Sequence, residues 1–265
     1  MERLASRIKD TVVEPGSLAV FWIGQAGFVY KTPTGTVIFI DPYVTDYVAR
    51  VLPHIGWGFK RITPCPIDAS EVDADLVVST HGHQDHLDLD AIPVFLKNPR
   101  IKFVGAPDCE AGYLSVGVPK ERFAIITTGQ TMRYGDVTLT GIYADHGPET
   151  PHALGILLTV GDIKVWQVGD TAYRPMQWHD IYASGVDIVV PPINGMYGNL
   201  NGVEAARLAA DAGAKVAIPC HFWTFAEHGG NPAEFMDACK VHAPATRAML
   251  MAHGEHFVYR KVRTK

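Results

Sequence analysis

Four residues able to hold a metal ion fall within one short run, Thr80-His81-Gly82-His83-Gln84-Asp85-His86. Imidazole nitrogens and carboxylate oxygens are the ordinary ligands of zinc and related divalent cations. His81 and His83 are two apart, so an extended turn points both the same way. Asp85 and His86 follow on the next turn and address a second point close by. A zinc motif on a helix face needs histidines at i and i+4, and that spacing is absent. The run directly follows Leu76-Val77-Val78-Ser79, whose unbroken apolar character reads as a buried strand. Ligand sites of α/β folds gather at such strand ends.

One loop does not complete a metal site. His146 in Tyr143-Ala144-Asp145-His146, Asp170 in Val168-Gly169-Asp170 and His221 in Ile218-Pro219-Cys220-His221 each end an apolar run in the same way. Asp41, before Pro42, closes an earlier run. It reads either as the acceptor that orients a ligand histidine through its other ring N–H or as a turn residue ahead of proline.

These residues need a scaffold, and the chain supplies one. Of 265 residues 47% are hydrophobic and 19% charged, enough for one large domain spanning 1–265 and too apolar for disorder. Lys plus Arg number 23 against 28 Asp plus Glu, a net charge of −5. That balance is wrong for gripping a phosphate backbone, so no nucleic-acid partner is expected. No apolar run approaches the roughly 20 residues that span a bilayer, and the first residues lack the apolar core of a secretory signal. Cys65, Cys109, Cys220 and Cys239 are scattered, with no C-x-x-C pair, and read as reduced thiols. A cytoplasmic protein without a membrane partner is expected; homo-oligomerisation stays open.

Strands are expected at 19–23, 27–31, 36–40, 76–79, 102–104 and 124–126, then at 137–143, 153–160, 163–168, 187–190, 215–219, 248–251 and 256–260. Helices are expected at 87–95, 108–116, 202–212 and 232–241. Asn201 caps the third helix with Gly213 beyond its end, and Asn231 precedes Pro232 at the first turn of the fourth. Strands with helices after them, twice over, point to an α/β fold: an αβ/βα four-layer sandwich of two mixed sheets packed face to face with helices outside.

The ordered set Asp41, His81-x-His83-x-Asp85-His86, His146, Asp170, His221 resembles that of the metallo-β-lactamase superfamily of metal-dependent hydrolases, over about Val20 to Phe257. Trp22-Ile23-Gly24-Gln25-Ala26-Gly27-Phe28, Ile40-Asp41-Pro42-Tyr43, Ile193-Asn194-Gly195, Gly198-Asn199-Leu200-Asn201 and Pro219-Cys220-His221 make it similar to the L-ascorbate-6-phosphate lactonase branch. The resemblance implies a first metal on His81, His83 and His146 and a second on Asp85, His86 and His221, with Asp170 bridging. It implies one or two divalent ions, zinc or manganese, with iron as an alternative. A metal-bound hydroxide would then attack a small anionic ester or lactone. Asp85 and Asp170 are the candidate catalytic carboxylates, Asp85 doubling as a proton shuttle.

Candidate substrate contacts are Arg174, Asn194, Tyr197 and His228, with Lys60 and Arg61 as alternative cations. Tyr43, Trp57, Tyr173 and Tyr197 are candidate pocket walls. His253 and His256 read as surface turn histidines, Cys220 as a core residue facing away from His221, and His54, His152, His179 and His242 carry no context. Two other functions compete. A phosphodiesterase acting on phospholipids would want residues 47–59 as a membrane-facing loop, and a non-catalytic metal-binding sensor would bind without turnover.

Overall fold

The apolar runs assemble into two mixed sheets built on the same plan. The structure, a computed structural model, describes residues 3–52 and 58–261. After α1 (Leu4–Asp10), β1 (Ser17–Gly24), β2 (Gly27–Lys31) and β3 (Val37–Ile40) form an antiparallel meander. It continues in parallel through β4 (Leu76–Ser79), β5 (Lys102–Gly105) and β6 (Phe123–Ile125). In the second sheet β7 (Thr131–Tyr134), β8 (Val137–Tyr143), β9 (Leu154–Val160) and β10 (Ile163–Gln167) run antiparallel. The parallel half is β11 (Ile188–Val190), β12 (Val216–Ala217) and β13 (Arg247–Ala248). Finally β14 (His256–Arg260) pairs with β1, so each sheet has seven strands. The connections carry α2 (Tyr47–Val51), α3 (Ile92–Phe95), α4 (Glu110–Ser115), α5 (His179–Ala183), α6 (Gly202–Asp211) and α7 (Pro232–His242). This is the expected αβ/βα arrangement.

Burial explains which runs became which strands. Every position of β1 and of β4 is buried, as a strand covered on both faces requires. By contrast β8 alternates buried and half-buried residues, the mark of one covered face. One hydrophobic core draws on both sheets, with Phe21, Phe39, Trp166 and Ile188 in it. Gln167 links the sheets: it accepts from the Tyr30 hydroxyl at 2.9 Å and donates to the Ala26 carbonyl at 2.7 Å. Both groups are buried, so neither polar end is left unpaired.

The two long helices start as the sequence indicates. The Asn201 side chain accepts from the amides of Val203 and Glu204 while Glu204 returns a bond to the Asn201 amide, a complete capping box. Asn231 accepts from Ala233 and Glu234. Elsewhere local pattern misleads. The helix expected over 87–95 is only the single turn α3, because the Asp88 carboxylate draws the preceding chain into a turn. It accepts from the amides of Val44, Thr45 and Ala91 and from the Thr45 hydroxyl. Polar β7 and short α1, α2 and α5 were not expected, and the strands expected at 215–219 and 248–251 each shrink to two residues. Among the described residues no helix is long and apolar enough to cross a membrane, and all four cysteines are free thiols.

Candidate metal centre

The ligand-type residues arrive from strand ends that the two sheets bring to one edge. Asp41 follows β3, the run from His81 to His86 follows β4, His146 follows β8, Asp170 follows β10 and His221 follows β12. Gln25 sits in the turn between β1 and β2. Gly169 is required where it stands: its φ is +73°, and a Cβ there would lie 2.2 Å from the Leu154 carbonyl oxygen. Any larger residue would displace Asp170, its neighbour.

Two groups of donors face each other. His81 Nε2 and His146 Nε2 lie 2.9 and 3.1 Å from His83 Nδ1. His86 Nε2 and His221 Nε2 are 3.2 Å apart, with Asp85 Oδ2 3.2 Å from His221 Nε2 and 3.6 Å from His86 Nε2. Asp170 reaches both groups: Oδ2 is 3.1 Å from His221 Nε2 and 3.6 Å from His146 Nε2, and Oδ1 is 3.4 Å from His86 Nε2. Around them stand the orienting bonds. Asp41 accepts from the Thr80 amide and hydroxyl, each at 2.8 Å, and contacts His86 Nδ1 at 2.9 Å. Of the two readings of Asp41, the orienting one is the arrangement observed.

Charge and lone pairs test whether these residues suit a cation. Neutral imidazole offers one lone pair, and three that converge cannot satisfy each other by hydrogen bonds alone. Asp170 Oδ1 is buried without a well-formed hydrogen bond among the described residues, facing only the His86 Nε2 at 3.4 Å, a costly state for a carboxylate oxygen. Burial pulls His86 down, but Asp170, Asp85 and Asp41 outweigh it and hold its pKa well above the usual value. His221 is likewise opposed by burial yet driven up to about 9, chiefly by Asp170. Burial also raises Asp85 and Asp170, and the neighbouring histidines overcome it to keep both carboxyls ionised. His81 and His146 are lowered, mainly by burial, and keep their lone pairs free. The cluster therefore demands positive charge between its carboxylates and presents free nitrogens beside it. A divalent cation fits that demand.

Residues 19–221 match a β-lactamase superfamily domain. The chain belongs to the metallo-β-lactamase superfamily. A UPF0173 metal-dependent hydrolase of Koribacter versatilis is 31% identical over 241 residues, 85% of this chain and 94% of that relative. A probable L-ascorbate-6-phosphate lactonase of Salmonella heidelberg is 22% identical over 271 residues, covering 87% of this chain and 77% of that protein. Among solved structures, Igni18, a metallo hydrolase of Ignicoccus hospitalis, superposes with a TM-score of 0.73 at 20% identity over 93% of this chain and all of that one. The chain is a metal-dependent hydrolase of this superfamily, with a candidate His/Asp metal site.

A cleft of about 450 Å³ opens on the centre, lined by His83, Asp85, His146, Asp170, His221, His228, Tyr197 and Asn199 among others. Other expected contacts lie elsewhere. The Arg174 Nε donates to Asp145 at 2.7 Å and does not line the cleft. Asn194 also stays out of the lining, its amide donating to the Met196 carbonyl at 3.3 Å. Arg61 donates to the carbonyls of Tyr43 and Thr45 and, with Lys60, borders a separate surface hollow. Tyr43 is buried in packing against Phe225, and Tyr173 bonds to Asp211. Cys220 is buried, its thiol bonding the Pro191 carbonyl, as a core residue should. His54 and Trp57 lie outside the described residues, and His152, His179 and His242 are exposed. Of His253 and His256, the first lies in a turn as expected but is half-buried, and the second lies in a strand. The His253 ring packs edge-on against Trp22 at 4.6 Å, and His256 opens β14 and stacks on Phe21 at 4.8 Å.

Two residues escaped assignment from sequence. Gln25 is fully buried, and its Nε2 lies 2.6 Å from Asp85 Oδ2, 3.1 Å from His221 Nε2 and 2.8 Å from His228 Nδ1. Asn199 donates to Asp170 Oδ2 at 2.7 Å. The available signal was a polar amide inside a Gly-containing turn, after β1 for Gln25 and ahead of α6 for Asn199, which many loops share. Gln25, Asp41 and His221 have φ of +51°, +50° and +60°. Left-handed backbone at three non-glycine residues is strain held in place by the fold, and such strain gathers at working sites.

Proposed function

We propose that this hydrolase opens a small carboxylic ester or lactone with water as the nucleophile. One observation carries the reading: the described cleft lining holds no Ser, Thr, Cys or Lys beside the donor cluster. The Asp and His side chains that do line it are grouped as donors for a cation, which leaves water as the attacking group. His81, His83 and His146 would hold a first divalent cation, zinc or manganese, and Asp85, His86 and His221 a second, with Asp170 within reach of both groups. A bound cation supplies positive charge that acidifies water and polarises the substrate carbonyl. Asp85 borders the cleft and accepts from Gln25, which fixes its carboxylate for receiving a proton. His228 stacks on His221 at 4.8 Å between ring centres, and its pKa is pushed down to about 4, chiefly by burial and by His221. It therefore stays neutral and adds no charge to the cleft.

The test is direct. The purified protein is analysed for metal, stripped with a chelator, reloaded, and assayed on lactones, thioesters and phosphodiesters. Turnover of lactones or esters that tracks metal content is expected. Preference for phosphodiesters would replace this reading with the phosphodiesterase one, and stoichiometric metal with no turnover of any class would favour a sensor.

A further inference from the structure

We propose that the part of the substrate not undergoing hydrolysis is an uncharged alkyl or aryl group, seated against Val48, Leu52, Phe59 and Tyr197. The proposal rests on the ester-hydrolase reading only for which end of the substrate meets the donor cluster. Its basis is the composition of the cleft. Three carboxylates border it, Asp85, Glu149 and Asp170, and no Lys or Arg does so among the described residues. Residues 53–57 read Pro-His-Ile-Gly-Trp and add no Lys or Arg to the chain there.

The nearby cations face elsewhere: Lys60 is exposed and borders the separate hollow beside Arg61, not this cleft. Arg174 is held by Asp145, Arg50 by Asp90, and Arg61 by two backbone carbonyls while its guanidinium lies 4.0 Å from the Tyr43 ring centre. A phosphate or second carboxylate on the substrate would find no side-chain cation here. It would meet only the metal ions, where it would compete with the carbonyl that has to react.

The apolar wall is built rather than incidental. Leu52 and Phe59 pack on a small core of Tyr43, Val48 and Phe225, separate from the main one. The Phe59 ring lies 6.1 Å from both Phe225 and His228. Tyr197 approaches His228 at 5.6 Å, so the wall runs up to the rings beside the centre. Each methylene fully buried on such a wall is worth roughly a fourfold gain in affinity.

Hydroxamic acids test this, because they grip cations whatever bond an enzyme cleaves and so report the walls alone. Calorimetry on metal-loaded protein compares acetohydroxamic acid, octanohydroxamic acid and a phosphonate-tailed hydroxamic acid. The octanoyl compound is expected to bind at least about tenfold more tightly than the acetyl one, and the phosphonate no more tightly than the acetyl. Leu52→Lys, checked for an unchanged melting temperature, is expected to weaken the octanoyl compound and strengthen the phosphonate. Tightest binding of the phosphonate to the unaltered protein, equal binding of all three, or binding of none would overturn the proposal. Lactone assays separate the two readings: octanoyl preference without ester turnover removes the reaction and leaves the wall, while turnover with phosphonate preference does the reverse.

Discussion

His86 Nδ1 lies 2.9 Å from Asp41 Oδ2, and both side chains are fully buried. The contact turns the other ring nitrogen, Nε2, toward His221 and Asp170. Asp41 also accepts from the backbone and hydroxyl of Thr80, so one carboxylate sets both the ring and the start of the ligand loop.

Asp41→Asn should therefore weaken metal binding without unfolding the chain. An amide offers one acceptor oxygen and turns an NH2 toward donors. Affinity should fall by about 10- to 100-fold, the usual loss when an orienting partner of a ligand histidine is changed. Competition with a coloured chelator measures it, and an unchanged affinity would remove the orienting role.

His83→Ala and Asp170→Ala should each bring turnover below about a hundredth of the unaltered rate. The two should differ in metal content. His83 serves the three-histidine group only, so its loss should empty that position, whereas Asp170 touches both groups and its loss should lower both. Elemental analysis beside steady-state kinetics reads this. Near-normal turnover with full metal in either variant contradicts the assignment.

Gln25→Ala removes the donor to Asp85 and a contact of His228 and leaves the three-histidine group untouched. A loss of about tenfold or more in kcat/KM is expected, since a charge-assisted bond contributes roughly 1.5–3 kcal/mol. Metal bound to the three-histidine group should persist. Unaltered kinetics would show that Gln25 only packs.

Asp136 gives a stability prediction away from the site. Burial raises its pKa, but hydrogen bonds from Thr36, Thr34 and Thr32 outweigh burial and bring it below the usual value. A carboxyl lowered in the folded state stabilises above its unfolded pKa, about 3.9, and the contribution disappears as pH falls through the lower folded value. Asp136→Asn should cost a few tenths to about 1 kcal/mol near neutral pH, at the small end because the group is half open to water. The difference should vanish in strong acid. Urea unfolding at both pH values measures it, and a cost independent of pH would mean that the charge is irrelevant.

Much of this was readable beforehand because it is local. Continuous apolar runs mark strands buried on both faces, and β4 and β8 keep the bounds expected of them. Asn201 and Asn231 cap the helices they precede, since capping needs only neighbours in sequence. What misled was also local pattern, overridden by distant partners. Residues 87–91 look helical until Asp88 is found bonded to Val44 and Thr45. Arg174, four residues after Asp170, looks poised for an anion until Asp145 is found beside it.

Ligand types, their order and the strands that end in them can be read along the chain, because residue chemistry and hydrophobic period are local. Folding in three dimensions adds which nitrogen of each histidine turns inward, that Asp170 touches both groups, that Gln25 and Asn199 belong to the centre, and that the cleft has no Lys or Arg among its described walls. Those facts depend on distances between residues far apart in the chain. Such distances exist only once two sheets have packed and brought their strand ends to one edge.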